Sequence, residues 1–202
     1  MIRTPQKERC DPMALNATIR KAQLQIADMD RHAYLDQSVT VAQHPSETNE
    51  RVMVRLLALA LNMPPAGDDD GALALAKGLW DADEPDLWQK DLTGSIVHWI
   101  DLGQPDDRRM TKAAGRADRV TVYSFAASTP IWWQGVSKKV SRLRNLRVWE
   151  IPSAQSQSLT ELCQRSMSLQ VTAQDGHVWI TDGQTTCEVT PILLNADSVN
   201  AK

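Results

Sequence analysis

The chain has 202 residues, 42% of them hydrophobic, and a formal net charge of −3. This length supports one domain with a sizeable core, and the charge excludes a protein that attracts polyanions through its overall balance. Three cysteines without metal-ligand spacing (Cys10, Cys163, Cys187), no apolar run of roughly 18 residues and no secretory leader exclude a disulfide framework and a membrane span, and they place the chain in a reducing cytoplasm.

Residues 1–12 read as a disordered extension, with Met13 as the functional start, 13–194 as one domain and 195–202 as a flexible tail. Residues 16–28 alternate apolar and polar positions, a turn follows at Asp28-Met29-Asp30-Arg31, and 34–43 is strand-like again. The pattern predicts an N-terminal antiparallel hairpin. His44-Pro45-Ser46-Glu47 predicts a helix start, because proline suits the first helical position and glutamate suits the helix dipole. Met53, Leu56, Leu57, Ala60 and Leu61 continue it at helical spacing until Pro64-Pro65.

Leu73 to Leu79 reads as a short strand and Asp81 to Asp91 as an irregular acidic segment. A strand over 95–102 follows Gly94. Gly103-Gln104-Pro105 breaks it and opens a helix over 105–117. A strand is predicted over 119–125, and a helix from Pro130 with Trp132, Val136, Val140 and Leu143 on one face. After a strand at 146–151 and a helix at 154–166, strands at 167–173, 177–181 and 186–193 are joined by Asp175-Gly176 and Asp182-Gly183, a hairpin signal. Helix and strand alternate in the middle and antiparallel hairpins stand at both ends, which predicts an α/β domain.

Charge is unevenly placed. Residues 68–107 hold eleven acidic residues against Lys77 and Lys90, whereas 119–149 hold Arg119, Lys138, Lys139, Arg142, Arg144 and Arg147 with no acid. Asp101 is the leading candidate for chemistry. It shares a strand face with Val97 and Trp99, and a carboxylate among apolar groups must be paired, protonated or metal-bound. Its other reading is a cap on the following turn. Glu50 points toward the apolar side of its helix and reads equally as a salt-bridge partner of Arg51 or Arg55. Asp86, Asp83 and Glu84 read as a solvated run or as partners of Asp101 on a magnesium ion, which takes one or two protein carboxylates. In the basic stretch, Lys138, Lys139, Arg142 and Arg144, with Trp133 as the exposed aromatic, suit nucleic acid or a plain solvated face.

The strings Met13-Ala14-Leu15-Asn16-Ala17-Thr18-Ile19, His44-Pro45-Ser46-Glu47-Thr48, Asp83-Glu84-Pro85-Asp86-Leu87-Trp88 and Trp99-Ile100-Asp101-Leu102-Gly103, in this order and followed by Trp132-Trp133 and Gln174-Asp175-Gly176, resemble the YaeQ family from Met13 to about Val189. The resemblance implies a compact variant of the PD-(D/E)XK restriction-endonuclease-like fold, a mixed sheet flanked by helices. It implies a helix carboxylate, a PD aspartate and a (D/E)XK pair around magnesium, here Glu50, Asp86 after Pro85, and Asp101. The chain departs from the motif at Gly103, which stands where the lysine is expected. Arg108 and Lys112, four apart on the next helix, are the candidates for a migrated cation. Two functions follow as expectations. One is a magnesium-dependent nuclease acting on DNA or RNA phosphodiesters. The other is a non-enzymatic nucleic-acid- or protein-interaction module with a degenerate site.

Overall fold

The computed structural model describes residues 17–65 and 70–195. The extension expected at 1–12, the start at Met13, Asp68 and Asp69 at the start of the acidic stretch 68–107, and the tail 196–202 lie outside the described residues. Asn195, expected in that tail, is buried: its side chain accepts from Val148 N and donates to Leu146 O.

The N-terminal hairpin forms as its alternation predicts, from β1 (Thr18–Asp28) and β2 (Ala33–Gln43) in antiparallel register. Helix α1 (Asn49–Asn62) starts later than Pro45, because Thr48 caps it by accepting from Arg51 N at 3.2 Å. Residues 44–47 instead form a turn closed by Glu47 N and His44 O. The expected strand at 73–79 is confined to β3 (Leu73–Leu75), and a 3₁₀ turn occupies Gly78–Trp80. The acidic segment contains a strand, β4 (Leu87–Lys90), that its charge concealed. Leu87 and Gln89 are buried while the chain pairs with β5 (Ile96–Leu102).

Helix α2 (Asp107–Ala114) is capped by the Asp106 side chain and leads to β6 (Ala117–Ser124). Helix α3 (Thr129–Val140) ends before Leu143, and β7 (Leu146–Glu150) follows. The helix expected at 154–166 is α4 (Ser153–Ser158) plus a 3₁₀ turn, Leu159–Leu162. The C-terminal strands are β8 (Ser166–Gln174), β9 (His177–Thr181), β10 (Thr186–Val189) and β11 (Ile192–Leu193). Thr190 and Pro191 divide the single strand expected at 186–193, and β11 crosses to the other sheet to pair with β7.

Two mixed sheets result. One has order β10-β9-β8-β1-β2, all antiparallel except β1 with β8. The other has order β11-β7-β6-β5-β4-β3, parallel only across β5-β6-β7. The parallel β1–β8 pair joins the two terminal hairpins into one sheet, a pairing too long-range for local pattern to reveal.

Residues Val52 to Ala60 of α1 are buried without interruption. The reason is the layering: their apolar cluster includes Leu24 and Leu169 from the first sheet and Leu87, Ile100 and Leu102 from the second. A second cluster, with Trp99, Val120 and Val148, lies against Met110, Ala113, Val136 and Val140 of α2 and α3. Each fully buried leucine or methionine contributes about 1.5–3 kcal/mol relative to exposure. No helix among the described residues is long and apolar enough to cross a membrane.

Candidate functional site

Strand β5 sends alternate side chains to opposite faces. Ile100 and Leu102 meet the cluster around α1, while Trp99 meets the cluster around α2 and α3. Asp101, two residues after Trp99, is turned the same way and is 2% exposed. Asp86 lies just before β4 and is 3% exposed; its backbone N donates to Ile100 O at 3.0 Å. Both aspartates line one pocket of about 330 Å³ together with Arg51, Gly78, Gln104 and Arg109. The sequence-predicted pair therefore shares one pocket.

Every oxygen of that pair accepts a hydrogen bond from the protein. Arg109 donates from Nε to Asp101 Oδ2 at 2.8 Å and from Nη2 to Asp101 Oδ1 at 2.7 Å. Its remaining hydrogen bonds go to the backbone carbonyls of Ala82 and Glu84. Arg51 Nη2 donates to Asp86 Oδ1 at 2.7 Å, and Leu102 N donates to Asp86 Oδ2 at 2.8 Å. Burial pushes the Asp86 carboxyl above the usual carboxylate range, against the opposing pull of Arg51 and the Leu102 amide. Asp101 in turn raises the Arg109 guanidinium.

Glu47 extends the network. It is 6% exposed and accepts from Arg51 Nη1 at 3.0 Å and from Arg55 Nη1 at 3.1 and 3.2 Å. Arg51 and Arg55 are four apart and so share a stripe of α1, and Glu47, four before Arg51, lies in the turn just ahead of the Thr48 cap. That spacing was the available signal, but charges on a stripe that alternates with leucines are normally read as solvated. The same holds for Arg109, which lies four before the buried Ala113.

The other predicted residues stand apart from the aspartates. Glu50 is half-buried and accepts from Ser156 Oγ of α4 at 2.6 Å. Glu84 turns its carboxylate to Lys77, 3.1 Å away. Lys112 pairs with the exposed Asp83, and Arg108 is exposed while its neighbour Arg109 enters the pocket. Lys138, Arg142 and Arg144 are exposed; Lys139 is exposed too and reaches Asp107 at 3.0 Å, tying α3 to the start of α2. Trp133 is not the open platform expected of it: it is half-buried against the second cluster, beside Trp132.

Backbone shape explains the missing lysine. Gly103 has φ of +99°, a conformation that strains any residue carrying a Cβ, and its N donates to Tyr123 O as the chain leaves β5. Gly78, with φ of +53°, shares that constraint and adds a second. A Cβ there would stand 2.7 Å from Asp86 Oδ1.

These residues do not fit a magnesium ion as they stand. Magnesium takes carboxylate oxygens and water, but the four oxygens here are held by donors, three of them from arginine. Among the described residues, no three His, Cys, Asp or Glu side chains converge on a metal position.

The sequence model described as "YaeQ protein" matches residues 13–191. The chain is 40% identical over 178 residues to the "Uncharacterized protein YaeQ" of Salmonella typhi and to that of Escherichia coli (strain K12), covering 88% of this chain and 95% of each relative. Its structure is similar to the crystal structure of the YaeQ protein from Xanthomonas axonopodis pv. citri, with a TM-score of 0.83, 45% identity, and coverage of 90% of this chain and 99% of that one. The YaeQ protein from Pseudomonas syringae superposes with a TM-score of 0.79 at 33% identity, covering 90% and 98%.

Proposed function

The chain belongs to the YaeQ family, and from the geometry of its aspartate pocket we propose that it binds nucleic acid without cutting it. The observation that carries the absence of cleavage is the complete engagement of the Asp86 and Asp101 oxygens by Arg51, Arg109 and the Leu102 amide, and the binding rests on the exposed cations described below. Charge in the pocket is already neutralised from within. A divalent cation would have to sit beside two guanidinium groups or displace them, and no lysine follows Asp101 to activate water.

The binding surface is the outer face of α2 and α3. Arg108 of α2 and Lys138 of α3, with Arg116 just after α2 and Arg142 and Arg144 in the turn after α3, are exposed and make no ion pair among the described residues. The Lys139–Asp107 contact and the bond from Trp132 Nε1 to Pro105 O hold the two helices together. Cations on such a face displace counterions from phosphates. Fluorescence anisotropy of labelled DNA and RNA oligonucleotides tests this. Reversing Lys138, Arg142 and Arg144 to glutamate should weaken binding and flatten its salt dependence, by about 0.7–0.9 log units per lost phosphate contact. An unchanged slope would mean that the face is merely solvated.

One observation favours a second reading, magnesium-dependent phosphodiester cleavage. Asp86, which follows Pro85, and Asp101 line the same pocket. This reading requires Arg109 to leave Asp101 before the site can work, so Arg109→Ala should gain metal-dependent activity rather than lose it.

A further inference from the structure

Three of the four sheet edges among the described residues are short: β10 has four residues, β11 two and β3 three. The fourth, β2, has 11. Proteins blunt an open edge with short strands, lysines, prolines or bulges. Strand β2 uses none of these. It pairs with β1 in unbroken register, contains no proline, lysine or arginine, and carries one charge, Asp36. Beyond β1, the only hydrogen bond among the described residues to the backbone of residues 34–42 is local, from Gln37 Nε2 to Ser38 O. In an antiparallel pair alternate residues turn their N–H and C=O away from the partner. The outer edge of β2 is therefore a row of backbone donors and acceptors.

The side chains of this edge are unfinished in two ways. On the core face Leu35 and Val39 stay half-buried although they pack on the main cluster, whereas Leu24 and Ile26 of β1 are buried. On the other face Tyr34 is 60% exposed. Six residues along, Thr40 borders a cavity of about 400 Å³ that Ala42, Trp80 and Trp88 also line. The His44 ring meets Trp80 edge-on at 4.5 Å, and Trp80 keeps 43% exposure. One strand thus carries an aromatic knob and, further along the same face, an aromatic-lined hollow.

We propose that two copies of this chain associate by antiparallel pairing of β2 with β2 about a twofold axis at Gln37, with Tyr34 of each copy entering the Trp80–Trp88 cavity of the other. That axis sets Tyr34 opposite Thr40, Leu35 opposite Val39 and Asp36 opposite Ser38. The half-buried apolar pair then covers itself, and Asp36 faces a hydroxyl donor. An axis at Asp36 would set two carboxylates face to face, which is destabilising. An axis at Ser38 would set Val39 against Gln37 and Leu35 against Val41, which is already buried. Lys77 and Glu84 at the cavity are paired with each other, so the cavity suits an uncharged entrant such as a phenol. The same patch meets itself, so pairing closes at two copies. The assignment does not depend on nucleic-acid binding by α2 and α3.

Sedimentation velocity of the full chain from about 1 μM to about 1 mM tests this. A single-strand interface is at the small end of the size range, so the change from one chain to two should fall within those concentrations. Tyr34→Ala, at an exposed position, should weaken association about fivefold or more. Gln37→Lys and Gln37→Glu each set like charges opposite one another on the axis and should weaken it about threefold. Mixing these two variants should restore it, because unlike charges then meet. A chain that stays single over the whole range, undiminished association in Tyr34→Ala, or a mixture of Gln37→Lys and Gln37→Glu that associates no better than either alone would overturn the proposal. If the Gln37 variants do not fold, the concentration series and Tyr34→Ala decide.

Discussion

Arg109 holds both carboxylate oxygens of Asp101, Nε to Oδ2 at 2.8 Å and Nη2 to Oδ1 at 2.7 Å, across the junction of β5 and α2. The Arg109 side chain keeps about 30% exposure, whereas Asp101 keeps 2%. Removing the arginine would therefore strand a buried carboxylate rather than break a surface pair.

Arg109→Ala is expected to cost about 2–3 kcal/mol, the low side of the range for breaking a buried pair because Arg109 is part-exposed. Adding Asp101→Asn to that variant should recover part of the loss. Urea denaturation of the two single variants and the double variant measures the coupling. A loss below about 0.5 kcal/mol would place the pair among ordinary surface contacts.

His98 predicts the acid side of the stability profile. It is buried, its Nε2 meets Thr121 Oγ1 at 2.8 Å, and its Nδ1 has no partner among the described residues. Burial first, then Arg119 and Arg31, lower its pKa from 6.5 to about 3. Below pH 6.5 the unfolded chain takes up this proton and the folded chain does not, so stability is complete above pH 6.5 and falls as pH drops toward 3. Between pH 7 and pH 5 the loss from this residue should be about 2 kcal/mol. His98→Gln should flatten that part of the profile in denaturation midpoints measured across the range.

Gly78, which lines the pocket, and Gly103, two residues after Asp101, both have positive φ, and Gly78 alone of the two is also crowded. Gly103 has φ of +99° and open space around a notional Cβ, so Gly103→Ala and Gly103→Lys should cost alike, about 1–2 kcal/mol. The lysine should not bring cleavage. Gly78→Ala also meets Asp86 Oδ1 and should cost more than Gly103→Ala. Equal costs at the two sites would mean that Asp86 yields freely, contrary to its bonds with Arg51 and Leu102.

Much of the fold was legible from local pattern. Alternation fixed the hairpin of β1 and β2, and Asp-Gly pairs marked the β8-β9-β10 turns. Pairings that depend on distant partners were not legible, notably β1 with β8 and β11 with β7. Strand β4 was hidden because its acidic flank resembles a solvated run. In the site, a buried-carboxylate argument found Asp101 and the Pro85-Asp86 step found Asp86. Arg51 was read as a partner of Glu50 and instead holds Asp86 and Glu47, and Arg109 was not read as a partner of Asp101, because a cation gives no sequence sign of burial until its partner is placed. Glu47, read as a dipole partner, proved to be the hub joining Arg51 and Arg55.

The most direct measurement is a cleavage assay on nucleic acid that is demonstrably bound. Labelled single- and double-stranded DNA and RNA are incubated with the full chain at saturating concentration, with magnesium or manganese, and both binding and strand length are followed. The expected result is bound, intact substrate with wild type and with Asp101→Asn alike. Metal-dependent cleavage by wild type that disappears in folded Asp101→Asn would contradict a pocket closed by its arginines and establish the nuclease reading instead.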